Sequence, residues 1–389
     1  MFAHWVSALL LATALQASPP DNDAITPPTD ETIGLAEAGD PDALFEVAWY
    51  DFMQEIGSGD MPDPAVMNRV QQQLGHAGDQ GHGPSLNLLG TITENGYGLP
   101  PNPRAALVLY SLAHEAGEPA GSLNLATRLL FSNTPEDVAE GVSILQQLVA
   151  DAGAPEARIP ATGYLGFAQA HGVGGLEADP QAGIEGLETA LAADPGNAVF
   201  HFMLAGLYEQ GADGETDMAS ALAHYQAAAE AGHGQAAWQL GMRYLEGAGT
   251  EPDPEAAFRY VSMAAEAGDE DGMLSLAVMY ALGQGTPANP ANARGLYWQL
   301  ASVGNAHAMR GLGGMLLVGE GGEAEPARGY ALIALAAEAG DSMAQQLLVS
   351  LAPQLPDTHE WTDAVAEQRR WFLDTSGLQP GDIYGAQSD

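Results

Sequence analysis

The sequence predicts an all-α fold: an α-solenoid of about eight antiparallel helix pairs closed by a C-terminal capping helix. Three observations predict it. Gly232, Gly268, Gly304 and Gly340 recur at an interval of 36 residues. Other positions hold the same register: Leu204, Leu240, Leu276 and Leu312; Tyr208, Tyr244 and Tyr280, with Leu316 in the fourth copy; and Gly211, Gly247, Gly283 and Gly319. Within each copy, apolar residues fall at helical spacing in two runs separated by a glycine-rich break. Self-similarity at a fixed period marks a repeat array, and a helix pair that cannot bury its own apolar face must stack on its neighbours.

One unit justifies the rest. In residues 233–268, HGQAAWQLGMRYLEGAGTEPDPEAAFRYVSMAAEAG, the positions Ala237, Leu240, Gly241, Tyr244 and Ala248 fall at helical spacing. They make a first helix, and Gly247 is placed to end it. Asp253 then caps a second helix, and Pro254 takes its first position, where a missing N–H costs nothing. Ala257, Tyr260, Val261, Ala264 and Ala265 form the inner face, and Gly268 turns the chain into the next unit. Asn289-Pro290 and Glu325-Pro326 repeat this start. The stretch AAEAG at 228–232, 264–268 and 336–340 is therefore scaffold, its alanines allowing close approach of neighbouring helices.

Upstream the array continues with drift. Turn glycines are expected at Gly39, Gly78, Gly117, Gly153 and Gly196, and Asp63-Pro64 and Asn102-Pro103 repeat the cap-and-proline start. Repeats thus run over 31–340. Residues 341–375 read as a C-terminal cap in which Trp361, Val365 and Phe372 cover the last repeat, and 376–389 as a loose tail. At the other end, the apolar run Val6–Leu15, followed by Ala17 and Ser18, predicts a signal peptide over 1–17. Residues 18–30, rich in proline and acid, read as a flexible leader. The expected location is the periplasm or the exterior, with no stable membrane insertion, because no later apolar stretch is long enough to cross a bilayer.

Composition narrows the chemistry. The 389 residues carry 11 basic and 51 acidic side chains, a formal net charge of -40, and every basic residue is an arginine. Such a surface repels phosphate backbones, which argues against nucleic acid as a partner. It suits solubility in a salty medium, or recognition of cations or basic peptides. Cysteine is absent, which excludes disulfides, thiolate zinc sites and catalytic thiols. The absence of lysine excludes a Walker A loop, a Ser-x-x-Lys site and a Schiff base.

The unit AAWQLGMRYLEGAGTEPDPEAAFRYVSMAAEAG resembles the Sel-one-like repeat (SLR) family, a relative of the tetratricopeptide repeat, over about 300 residues. The period, the glycines and the tyrosines agree together, and the two residues beyond the ordinary 34 fit a longer loop between helices. The resemblance implies a non-catalytic scaffold or regulatory adaptor of the cell envelope that binds another protein or a peptide on its concave face. It also leaves an alternative: an envelope enzyme or peptidoglycan-associated factor, β-lactamase-like or cell-wall binding. Those relatives bear cysteines, which this chain lacks.

Candidate site residues follow from geometry. First helices line the concave side of stacked helix pairs. On that helix of the 233–268 unit, the face opposite the core carries Gln239, Arg243 and Glu246. The register equivalents are Ser275, Met279 and Leu282, then Gly311, Met315 and Val318. Methionines and aliphatics suit adaptable peptide contact, and they suit inter-repeat core equally. Other constellations are weaker. The acidic loop DGETD (213–217) lacks the twelfth-position carboxylate of a calcium loop, His224 standing there instead. His76 and His82 flank a turn without a third metal ligand, and Arg369-Arg370 suits a helix end or pairing with acidic neighbours. Tyr208, Tyr244 and Tyr280 read as core. No catalytic residue, metal or cofactor is expected, and the chain is expected to be a monomer or weak oligomer.

Overall fold

The computed structural model describes residues 26–57, 62–211, 215–354, 356 and 358–384. The expected signal peptide and residues 18–25 of the leader lie outside the described residues. The chain forms two compact units divided between Asp217 and Met218. The unit expected over 197–232 is thus shared between them.

The first compact unit contains α1 (Asp30–Glu37), α2 (Pro41–Gly57), α3 (Pro64–Asp79), α4 (Gly83–Asn95) and α5 (Pro103–Glu115). It continues with α6 (Pro119–Leu130), α7 (Pro135–Ala150), α8 (Pro155–His171), α9 (Pro180–Ala193) and α10 (Ala198–Gln210). The second contains α11 (Met218–Glu230), α12 (Gly234–Glu246), α13 (Pro254–Glu266), α14 (Glu270–Leu282) and α15 (Pro290–Ser302). Then come α16 (Ala306–Val318), α17 (Pro326–Glu338), α18 (Ser342–Leu351) and α19 (His359–Ser376). Within each unit, consecutive helices pack as pairs, and first helices also meet across successive pairs, as α12 meets α14.

The loops explain the repeat's glycines and its length. Gly247 and Gly249 both adopt positive φ (75° and 76°), as do Gly283 with Gly285 and Gly319 with Gly321. A Gly-x-Gly pair thus makes two left-handed steps that a side chain would resist. The loop then closes on a recurring bond: the amides of Asp253, Asn289 and Glu325 donate to the carbonyls of Tyr244, Tyr280 and Leu316 at 2.8, 2.7 and 2.8 Å. The cap residues act as expected where Asp253 Oδ1 accepts from Ala256 N at 3.0 Å and Asn289 Oδ1 from Asn292 N at 3.2 Å. Glu325 makes no side-chain cap bond.

Small residues set the helix spacing. A Cβ on Gly241 would stand 2.7 Å from Val261 Cγ2, and one on Gly313 would stand 2.6 Å from Ile333 Cγ1. In the first unit one core cluster runs from Ala106 to Leu207, with Tyr164 and Phe200 in edge contact at 5.2 Å, and smaller clusters around Phe52 and Leu44 precede it. In the second, the core ends on Phe372 of α19, whose edge meets Trp298 at 5.9 Å. Trp361 packs on Tyr330 at 6.1 Å and Val365 is half-buried.

Three expectations need correction. Gly78 lies inside α3, and the left-handed turn falls on Gly81 (φ 82°), which stands 36 residues before Gly117. The second helix of the first repeat is longer, so Gly81 stands 42 residues after Gly39 and the 36-residue interval starts from Gly81. Gly153 and Gly196 do not take positive φ. Asp151 instead shapes the first turn by accepting from Gly153 N at 2.7 Å, and Asp194 shapes the second by accepting from Asn197 Nδ2 at 3.1 Å. Tyr208, Tyr244 and Tyr280 pack against the core as expected but are only half-buried, whereas the second-helix tyrosines Tyr225, Tyr260 and Tyr297 are buried. Finally, the tail is docked as far as Tyr384: a short 3-10 turn at Pro380–Asp382 leads into a parallel bridge between Tyr384 and Asn305.

Candidate protein-interaction surface

The expected track on the first helices divides into two kinds of residue. Met279 and Met315 are 2% and 5% exposed and belong to the core between repeats. Leu282 and Val318 are 66% and 74% exposed. They stand at the last position of α14 and α16, directly before Gly283 and Gly319, and Glu246 holds the same place on α12. Gln239, Arg243 and Ser275 are half-buried and engaged in structure. Ser275 Oγ accepts from Trp238 Nε1 at 2.9 Å. Arg243 donates to the Gln239 backbone carbonyl at 3.0 Å and lies 4.9 Å over the Tyr225 ring. Gly311 is half-buried, and a Cβ there would meet the Tyr297 ring at 2.7 Å. The helix-end positions Glu246, Leu282 and Val318 remain as an accessible column that changes from acid to aliphatic.

A second feature lies between α15, α16, α17 and α19. A cavity of about 430 Å³ is walled by Arg294, Trp298, Leu312, Leu316, Arg328 and Trp371. Glu325 explains its charge: freed from capping, its carboxylate takes Arg294 Nη2 at 2.6 Å and Arg328 Nη1 at 2.5 Å. The Arg328 guanidinium also lies 4.1 Å over the Trp371 ring, and its Nε donates to Gln368 at 3.0 Å. Two guanidiniums share one carboxylate beside an apolar floor. The arrangement can take an apolar group that carries negative charge.

Sequence reasoning missed a buried polar network in the first unit. Arg128 Nε and Nη2 donate to the two oxygens of Glu94 at 3.0 and 2.6 Å, and Tyr110 donates its hydroxyl to Glu94 Oε2 at 2.8 Å. Asn124 Nδ2 donates to Asn87 Oδ1 at 2.8 Å beside it. Burial pushes the Tyr110 phenol far above its ordinary value, so it stays a neutral donor. A signal was present: Glu94 stands two residues before the turn glycine Gly96, where Leu245, Ala281 and Leu317 precede Gly247, Gly283 and Gly319. The network is enclosed and holds helices together.

The histidines are structural. His82 caps α4, with Nδ1 accepting from Ser85 N at 3.3 Å and Nε2 3.1 Å from Asp42. His76 lies against Gly39. Arg369 pairs with Glu338 through two bonds of 2.6 Å, and Arg370 is exposed. Part of the acidic loop 213–217 lies outside the described residues, and among the described residues no three His, Asp or Glu side chains cluster as metal ligands. No helix among them is long and apolar enough to cross a membrane.

Comparison with known proteins agrees with the repeat register. Residues 83–118, 198–233, 234–269, 271–305 and 306–341 match the Sel1 repeat family. No curated protein matches the chain. Among solved structures, the chain is similar to a Sel1 repeat protein from Oxalobacter formigenes: 22% identity, 87% of this chain and 99% of that one, TM-score 0.49. It is also similar to a protective antigen with an SLR fold from uropathogenic Escherichia coli strains, with 17% identity, coverage of 95% and 99%, and TM-score 0.32. A third likeness is to the immunity protein Pa5087 from Pseudomonas aeruginosa, with 19% identity, coverage of 64% and 87%, and TM-score 0.36.

Proposed function

We infer that this chain, which belongs to the Sel1 repeat family, is a non-catalytic scaffold that holds another protein or a peptide against its repeats. Sel1 repeat proteins are in general protein-interaction scaffolds. One observation supports the reading most. The frame positions repeat, while the exposed position before each turn glycine changes from Glu246 to Leu282 to Val318. A fixed frame with changing exposed side chains reads an extended partner along several repeats, without turnover. The two aliphatics supply apolar contact and the glutamate a polar edge.

The apolar run at Val6–Leu15 supports export, and with it a role as an adaptor in the envelope. Mass spectrometry of the mature protein would then find an N-terminus after Ala17, and an intact Met1 would end the export reading. Crosslinking in the native cell, followed by capture from envelope extracts, tests the scaffold reading. A reproducible protein partner is expected. Capture of none, together with hydrolysis of cell-wall substrates by the purified protein, would overturn it.

A further inference from the structure

The C-terminal tail docks back on the repeats through Tyr384. The Tyr384 amide donates to the Gly304 carbonyl at 2.8 Å, and the Ala306 amide donates to the Tyr384 carbonyl at 2.7 Å. Ala306 is the first residue of α16, so its N–H is one of those a helix leaves unpartnered. The Tyr384 hydroxyl donates to the Glu270 carboxylate, 2.9 and 3.0 Å from its two oxygens. Leu378 and Ile383 pack beside the core.

The seat is specific to one repeat. It combines a turn, 304–306, with the residue that opens the first helix of the preceding repeat, Glu270. Thirty-six residues earlier, the turn 268–270 is preceded by Gly234, and thirty-six later, the turn 340–342 is preceded by Ala306. Neither offers a carboxylate. Gly304 is also fitted to the tail: a Cβ there would lie 2.6 Å from the Asp382 carbonyl oxygen, whereas one on Gly268 would meet nothing within 4 Å.

We propose that the Gly304–Ala306 turn and Glu270 form a peptide-docking seat, held in cis by residues 378–384 and taken in trans by an extended partner segment. The partner segment presents an apolar residue followed by tyrosine. Its tyrosine backbone exchanges both bonds with the turn and its phenol reaches Glu270. This rests on the scaffold reading and adds its regulation: the tail must leave before the partner enters. The cis contact is short, two backbone bonds, one side-chain bond and the partly buried Leu378 and Ile383, a segment small enough to open locally.

The test uses the full chain. In the variant Ile383→Asp/Tyr384→Ala, a fluorescent peptide with the sequence of residues 376–389 is expected to bind at least about tenfold tighter than to the unaltered chain, whose own tail competes at high effective concentration. Adding Glu270→Ala, or replacing the peptide's tyrosine by alanine, should abolish binding. Hydrogen exchange at the Ala306 amide gives a second reading: fast in the variant, slowed again by the peptide. If the double variant loses its helical circular dichroism, Tyr384→Ala alone carries the same titration. Failure of the peptide to bind a folded variant, or equal binding to the unaltered chain, overturns the proposal. Such a failure leaves partner capture on the repeats untouched, whereas failed capture with a working titration would count against the scaffold reading alone.

Discussion

His233 carries a pH dependence that can be isolated. It is 5% exposed and caps α12, with Nδ1 accepting from Ala236 N at 3.2 Å. Burial lowers its pKa from 6.5 to about 4. At neutral pH both the folded and unfolded chains hold it uncharged, so the cap is complete. As pH falls through 6.5 the unfolded chain takes up a proton that the folded chain refuses, and stability drains until pH reaches about 4. At about 1.4 kcal/mol per pH unit, the whole interval is worth about 3 kcal/mol. His233→Asn keeps a good capping side chain and cannot titrate. Urea unfolding of both proteins at pH 7 and pH 4.5, followed in the second unit, is the assay. The variant should lie within about 1 kcal/mol of the unaltered chain at pH 7. At pH 4.5 it should be the more stable by about 2 kcal/mol relative to that starting point. A difference between the two proteins that does not change with pH would refute the reasoning.

The opposite slope is expected at Asp269, the same position one repeat on. Burial raises its pKa from 3.8 to about 6, so its contribution is present at low pH and lost as pH rises to about 6. Asp269→Asn should remove about 1 kcal/mol of that dependence, discounted for partial exposure, in the same urea series. Adjacent glycines in α16 should part company: Gly314→Ala meets nothing within 4 Å and should raise the melting temperature. Gly313→Ala meets Ile333 and the Gly329 carbonyl and should cost about 2 kcal/mol. Arg128→Leu strands the Glu94 carboxylate in the first unit and should cost about 3 kcal/mol, and Glu94→Leu added to it should recover part of that loss. Thermal unfolding measures both comparisons.

The repeat frame was legible because its causes are local. A positive-φ turn needs glycine, a proline start needs a cap before it, and a close helix crossing needs alanine or glycine, so these types recur at fixed spacing. Gly81 shows the limit: two glycines, Gly78 and Gly81, both suit a turn, and only packing extends α3 to Asp79. The surface was less legible. Met279 and Leu282 read alike in a one-dimensional track, yet one packs into a core shared with Ala257 and Val261 of the preceding repeat and the other ends its helix in solvent. The docked tail was invisible for a stronger reason. Tyr384 and Glu270 lie 114 residues apart, and nothing in the 376–389 stretch repeats or alternates. The role of Glu325 is only half legible: Arg328 stands three residues along the chain, but the second partner, Arg294, comes from α15, 31 residues back.

A photoreactive side chain introduced in living cells at position 282 or 318 tests the scaffold account most directly. Both positions are exposed, and both end first helices. The account predicts a discrete adduct with one and the same protein from both positions, and none from Glu266 on the second helix α13. Adducts absent from both positions, or spread equally over all three, would contradict it.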